Sequence, residues 1–212
     1  MLKRTYNSLG KLQAVKYTNI QFKEAGEGLL DCNIRVSPST PNSISFQPEG
    51  TNTAGDLGAA VSLTYENRNL FRGSEVFSVK LRGAYEAITG LEGYQNQNYI
   101  EYGIESKILF PSFMCPFLSY DFKRRSYSTT EIGVSYNLQN RPEFHRRVFS
   151  GSVRYRWTDS SQKHQYKVDI IDLNYVYMPW ISSTFKDNYL DNVDNKNVIL
   201  KYNYEDLFIM KI

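Results

Sequence analysis

The sequence predicts a mainly β protein: an α-β-β unit followed by an incomplete antiparallel transmembrane β-barrel of about seven or eight strands. Three observations carry this expectation. Side chains alternate in polarity along several runs, and a period of two places successive Cβ atoms on opposite sides of a sheet. The runs are about 10–13 residues long, beyond the ~5–6 of ordinary globular strands and close to the roughly 9–11 a tilted strand needs to cross a bilayer. The 212 residues include 17 Tyr and 12 Phe, and Tyr rings favour a membrane–water interface.

The clearest pair of strands occupies 56–87, reached through Gly55. Leu57, Ala59, Val61, Leu63 and Tyr65 share one face, opposite Gly58, Ala60, Ser62, Thr64 and Glu66. After a polar turn, Phe77, Val79, Leu81 and Tyr85 lie opposite Ser78, Lys80, Arg82, Ala84 and Glu86. A soluble sandwich also buries one face and wets the other, so alternation alone does not decide. Length, aromatic content and repetition tip the reading toward lipid outside and a polar lumen.

Taken in order, residues 3–12 read as the end of a helix, with Gly10 as its stop signal. A strand over 14–24, an AGEG turn at 25–28 and a strand over 29–36 complete the first unit, with Leu30, Cys32, Ile34 and Val36 along one side. The stretch 37–42, SPSTPN, is a linker by composition. Ser43–Gly50 reads as a short strand interrupted by Pro48, because proline cannot donate to a ladder and belongs on edges or bulges. It is expected to be weakly paired on one side. TNTAGD (51–56) turns into the strand described above, and NRNLFRGSE (67–75) is a tight turn.

Beyond a glycine-containing loop at 88–95, residues 98–110 set Ile100, Tyr102, Ile104 and Ile108 against Tyr99, Glu101, Gly103, Glu105 and Lys107. The stretch 111–126, with two prolines, aromatics and Lys123-Arg124-Arg125, reads as a connection at a membrane edge. Residues 129–139 place Ile132, Val134, Tyr136 and Leu138 opposite Glu131, Gly133, Ser135 and Asn137. A loop at 141–146 precedes a strand over 147–158, where Phe149, Val153, Tyr155 and Trp157 oppose Ser150, Ser152, Arg154 and Arg156. A turn at 159–164 leads to 165–178, which alternates imperfectly, with Ile171, Leu173, Tyr175 and Tyr177 outward. Residues 179–197 read as a long polar loop with some helix, and 205–212 as a strand that starts and is cut off.

Composition narrows the function classes. Lys plus Arg total 25 against 22 for Asp plus Glu, and no basic stripe supports nucleic-acid binding. No apolar run of ~18 residues exists, so no transmembrane helix is expected. MLKR is followed by polar residues without an apolar h-region, so no signal peptide is expected. An outer-membrane chain without one is expected to be a fragment. Cys32 and Cys115 are too few and too distant for a disulfide framework or metal site and read as free, mostly buried thiols. His145 and His164 are isolated in loop-like segments, and Asp187, Asp191 and Asp194 do not match a calcium loop. No cofactor, metal or catalytic constellation is proposed from these residues.

Three stretches carry a family resemblance. The α-β-β unit at 3–37 resembles the end of a POTRA domain, the periplasmic module preceding the barrel in the BamA/TamA family of outer-membrane assembly proteins. The stretch SPSTPNSISFQPEGTNTAGDLGAAVSLTYENRNLFRGSE (37–75) resembles that family's approach to its barrel, including an NLFRG turn. YNLQNRPEFHRRVFSGSVRYRW (136–157) resembles a later pair of strands around an RPE(F/Y)-type loop. The resemblance is particularly to the TamA-like branch found in Bacteroidetes-type bacteria. The resemblance implies that 1–38 is the C-terminal part of a POTRA domain and 39–212 the N-terminal part of a barrel. Upstream modules, roughly the second half of the barrel and the family's late arginine-bearing loop have no counterpart in this sequence.

The implied function is non-enzymatic: insertion of other β-barrel proteins into the bacterial outer membrane, with the N-terminal module in the periplasm. Its implied partners are outer-membrane lipid, unfolded β-barrel clients and periplasmic or lipoprotein partners. An edge strand is a pairing template, which marks Ser43, Ile44, Ser45, Phe46, Gln47, Pro48, Glu49 and Gly50 as the candidate client-pairing strand. Phe77, Val79, Leu81, Ile104, Val134 and Tyr155 are assigned to the lipid-facing side. Lys80, Arg82, Glu101, Glu105, Lys107, Glu131, Arg154 and Arg156 read as lumen-facing charges paired across strands. Lys123-Arg124-Arg125 reads as a solvated turn, with lipid headgroups as the alternative. Two other classes stay open. A passive outer-membrane channel or receptor shares the alternation without needing the α-β-β unit, and a soluble all-β binding protein would need shorter strands.

Overall fold

The structure, a computed structural model, describes residues 2–26, 28–53, 56–88, 97–159, 163–190 and 204–211. The chain is mainly β, with one two-stranded and one eight-stranded antiparallel sheet. Helix α1 (Leu2–Gly10) precedes the hairpin of β1 (Val15–Gly26) and β2 (Leu29–Pro38). Gly26 and Gly28 adopt φ of 90° and 76°, the left-handed backbone that glycine reaches without a Cβ penalty, and so bracket this turn. The turn's Glu27 lies outside the described residues.

The large sheet is an unbroken meander: β3 (Asn42–Thr53), β4 (Asp56–Asn67), β5 (Val76–Ile88), β6 (Gln97–Phe110), β7 (Tyr127–Asn140), β8 (Phe144–Thr158), β9 (Gln165–Ile181) and β10 (Leu207–Lys211). Each strand pairs with its neighbours in sequence, which leaves β3 and β10 at the two edges. Strands of 12 to 17 residues dominate, so the period-two runs marked out the right elements and usually underestimated their length. Among the described residues, contacts between elements run chiefly between adjacent strands, as in a single layer.

Several expectations change. The first strand of the sheet is not cut short at Pro48: β3 pairs with β4 from Asn42↔Asn67 to Thr53↔Asp56 without a break, including Pro48↔Val61. Being at an edge is what allows this, since an outward-facing amide there has no ladder partner to lose. The linker shrinks to Ser39–Pro41, fixed where Ser39 N–H donates to the Ala14 carbonyl (2.9 Å). The 141–146 loop shrinks to 141–143, which places His145 inside β8, its ring 4.9 Å from that of Trp180. Cys32 is exposed because β2 has no layer covering it, and Cys115, between β6 and β7, is half-buried, so neither is a buried thiol.

The 111–126 connection contains a helix, α2 (Tyr120–Arg125), whose Phe122 amide donates to the Ser119 hydroxyl (3.3 Å). Strand β9 runs on to Ile181, then gives way to α3 (Ser183–Phe185) and a π-helical turn (Lys186–Leu190). Its imperfect alternation has a structural cause. Val153↔Ile171 is followed by Arg154↔Asp169, so β9 carries one extra residue at a bulge. Residues 54–55, 89–95, 160–162, Asp191 and Asp194, which figure in the expected turns and loops, lie outside the described residues.

Candidate functional site

Residues paired directly across antiparallel strands lie on the same face. Following the register, one row reads Phe46–Leu63–Leu81–Ile104–Tyr136–Phe149–Tyr175–Phe208 and crosses all eight strands. All eight side chains are exposed. The row one residue away reads Ser45–Thr64–Lys80–Glu105–Ser135–Ser150–Asn174–Ile209 and is polar except at its end.

Burial runs opposite to the rule for water-soluble proteins. On β4, Leu57, Val61, Leu63 and Tyr65 are exposed, whereas Ala60 and Ser62 on the polar side are buried. On β7, Ile132, Val134 and Tyr136 are exposed and Gly133 is buried. Side chains crowd on the concave side of a curved sheet and splay on the convex one, so this pattern is that of a sheet curled toward its polar face.

Phe77, Val79, Leu81, Ile104, Val134 and Tyr155 all fall on the apolar face. Leu81, Ile104 and Val134 are exposed, and Phe77 and Val79 are half-buried. Tyr155 differs, because Phe113 from the β6–β7 connection lies edge-on against its ring at 5.5 Å.

The polar face is cross-linked by charge. Arg154 pairs with Glu131 (3.0 Å) and with Asp169, and Arg156 reaches the other Glu131 oxygen (3.2 Å). Arg82 donates to Glu49 (2.8 Å), which ties β5 to the edge strand across β4, and Lys107 pairs with Glu105. Glu101 accepts from Asn137 (2.7 Å) and from the Tyr99 hydroxyl (2.6 Å), while Lys80 stands opposite Glu105 in register. Of the charges expected to pair across strands, Arg82, Glu131, Arg154 and Arg156 do so, whereas Lys107 and Glu105 pair within β6 and Glu101 is held by hydrogen bonds from Asn137 and Tyr99. Exposed pairs of this kind contribute about 0–1 kcal/mol each, so their main consequence is that the face stays polar. On the same face the buried Ser62 Oγ, Glu86 Oε1 and Asn137 Oδ1 have no hydrogen-bond partner among the described residues.

The candidate client-pairing strand is the edge strand β3. Ile44, Phe46, Pro48 and Gly50 share the apolar face, and Ser43, Ser45, Gln47 and Glu49 the polar one. Ile44 and Phe46 are 72% and 66% exposed. The start of β3 is pinned where Asn42 Oδ1 accepts from the Tyr65 hydroxyl (2.9 Å) and the Asn67 amide (2.7 Å).

The first unit meets the sheet at the β4–β5 turn. Asn69 Oδ1 accepts from Ser74 N–H (3.0 Å), and Glu75 Oε2 accepts from Phe71 N–H (3.2 Å) and Gly73 N–H (3.0 Å). Arg72 and Ser74 both hold φ at 66°. Ser74 Oγ in turn accepts from Ala14 N–H (2.9 Å), joining the turn to the segment before β1. Lys11 lies 3.6 Å from the centre of the Tyr127 ring at the same end of the sheet, and desolvation there lowers its ammonium below the ordinary lysine value. Sequence reasoning recognised this turn but not its role as a fastener, which depends on pairing 60 residues apart in the chain.

Among the described residues no group of three or more His, Cys, Asp or Glu is placed to hold a metal ion. No described helix is long and apolar enough to cross a membrane, which leaves strands unaddressed. No family model, curated protein or solved structure is significantly similar to this chain.

Proposed function

We propose that this chain is part of an outer-membrane β-barrel assembly factor of the BamA/TamA kind. Its large sheet would lie in the bacterial outer membrane, with the N-terminal unit on the periplasmic side. One observation carries the reading: a row of aliphatic and aromatic side chains, exposed on every one of eight strands, opposite a polar face that carries ion pairs. In water such a face would be a large aggregation liability. In a bilayer it is solvated by hydrocarbon while the polar face meets water.

The activity follows from the β3 edge. An unpaired amide or carbonyl in hydrocarbon costs several kcal/mol, so a client strand arriving beside β3 gains strongly by completing the ladder. Because β3 is long and continuously paired on its inner side, the template is a stable one, and opening takes place on its outer side. The N-terminal hairpin adds a second exposed edge for extended clients. Disulfide cross-linking of β3 to the closing strand of the full-length protein tests this. Insertion of client barrels into vesicles should stop when the cross-link forms and return on reduction, and insertion unchanged by the cross-link would refute it.

A further inference from the structure

Resting on the reading of the apolar face as lipid-facing, we propose that the β6–β7 connection, 111–126, is an interfacial anchor that inserts into an anionic phospholipid surface. The connection is built onto that face. Phe113 is only 5% exposed and fills a ring cluster with Phe122 (5.8 Å), Tyr155 (5.5 Å) and Trp157 (5.7 Å). Thr130, 1% exposed, fastens the backbone on both sides of Phe113: its hydroxyl accepts from Met114 N–H (3.0 Å) and donates to the Ser112 carbonyl (2.8 Å).

This fixed loop presents large apolar side chains outward, among exposed Ser112, Ser119 and Asp121. Phe117 is 93% exposed, and Met114 and Phe122 of the same connection are exposed as well. A connection whose only task was to join two strands in water would gain nothing from presenting these groups. At the edge of a lipid-facing sheet they continue its apolar surface. Helix α2 then carries Lys123, Arg124 and Arg125 against a single acid, Asp121, within six residues. Aromatic groups flanked by cations match the headgroup–acyl boundary, where rings sit at the interface and cations meet lipid phosphates. The connection lies at the same end of the sheet as the β4–β5 turn and the N-terminal unit, so it would grip the leaflet on that side.

The test uses the whole protein refolded into phosphatidylcholine vesicles containing phosphatidylglycerol. A fluorophore is placed through Phe117→Cys in a Cys32→Ser, Cys115→Ser background and, in a parallel sample, through Ile104→Cys. Brominated phospholipids should quench both labels, and iodide should quench neither strongly. Lys123→Glu should increase iodide quenching at position 117 and leave position 104 unchanged. Lipid quenching at 104 with strong iodide quenching at 117 would overturn the anchor while leaving the lipid-facing sheet intact. Iodide quenching at both positions would overturn the membrane reading itself. Shielding of 117 from both quenchers, with 104 in lipid, would point to a covering protein copy and also overturn the anchor.

Discussion

At the scale of single residues, the two faces of the sheet set opposite rules for substitution. Leu81 sits centrally in the exposed apolar row, between Leu63 and Ile104. An arginine at a lipid-facing midplane position costs about 2–4 kcal/mol. Leu81→Arg should therefore lower stability by about that much in a reversible vesicle-folding titration, whereas Ser135→Arg on the polar face, opposite Glu105, should fold nearly as well as the parent. Equal effects would contradict the facing assignment. Glycines report the same geometry. A Cβ on Gly58 would lie 2.5 Å from Thr51 Oγ1 and 2.7 Å from the Tyr85 carbonyl, whereas one on Gly83 would meet nothing nearer than 4.0 Å. Gly58→Ala should cost about 1–3 kcal/mol through overpacking, with Gly83→Ala close to neutral in the same titration.

At the scale of elements, β3 is where sequence and structure diverge most usefully. Pro48 reads as an interruption if every strand position needs its amide, yet at an edge half of the amides face no partner. Its consequence is outward, since a proline removes one donor from the free edge and discourages casual pairing. Pro48→Val should therefore increase self-association of detergent-solubilised protein, measured by light scattering. An unchanged mass distribution would sink this role.

The existence and facing of the strands were legible because alternation sustained over ten or more residues fits a strand and little else. Strand ends were not, because Pro38, Asn42 and His145 carry loop-like chemistry and are drawn into the ladder by pairing with distant residues. Helix α2 escaped notice for a related reason: six residues with one turn of periodicity give too little signal, and its aromatic anchor depends on rings 42 and 44 positions away from Phe113.

At the scale of the whole molecule, a single curved layer explains why polar residues such as Ser62 and Glu86 are buried while Phe46, Leu81 and Phe149 are not. Composition could not reveal this, because a mean hydropathy of −0.48 averages over one apolar and one polar face. The sequence does show the alternation; the register then aligns every apolar face on one side. The central claim is that this side meets lipid. Its most direct measurement is a cysteine scan of β6 from Tyr99 to Leu109 in refolded vesicles, read as the rate of labelling by a water-soluble maleimide. The account predicts a period of two, with slow labelling at positions 100, 102, 104, 106 and 108 and faster labelling at the odd positions between them. Uniformly fast labelling, or fast labelling of the even set, would contradict it.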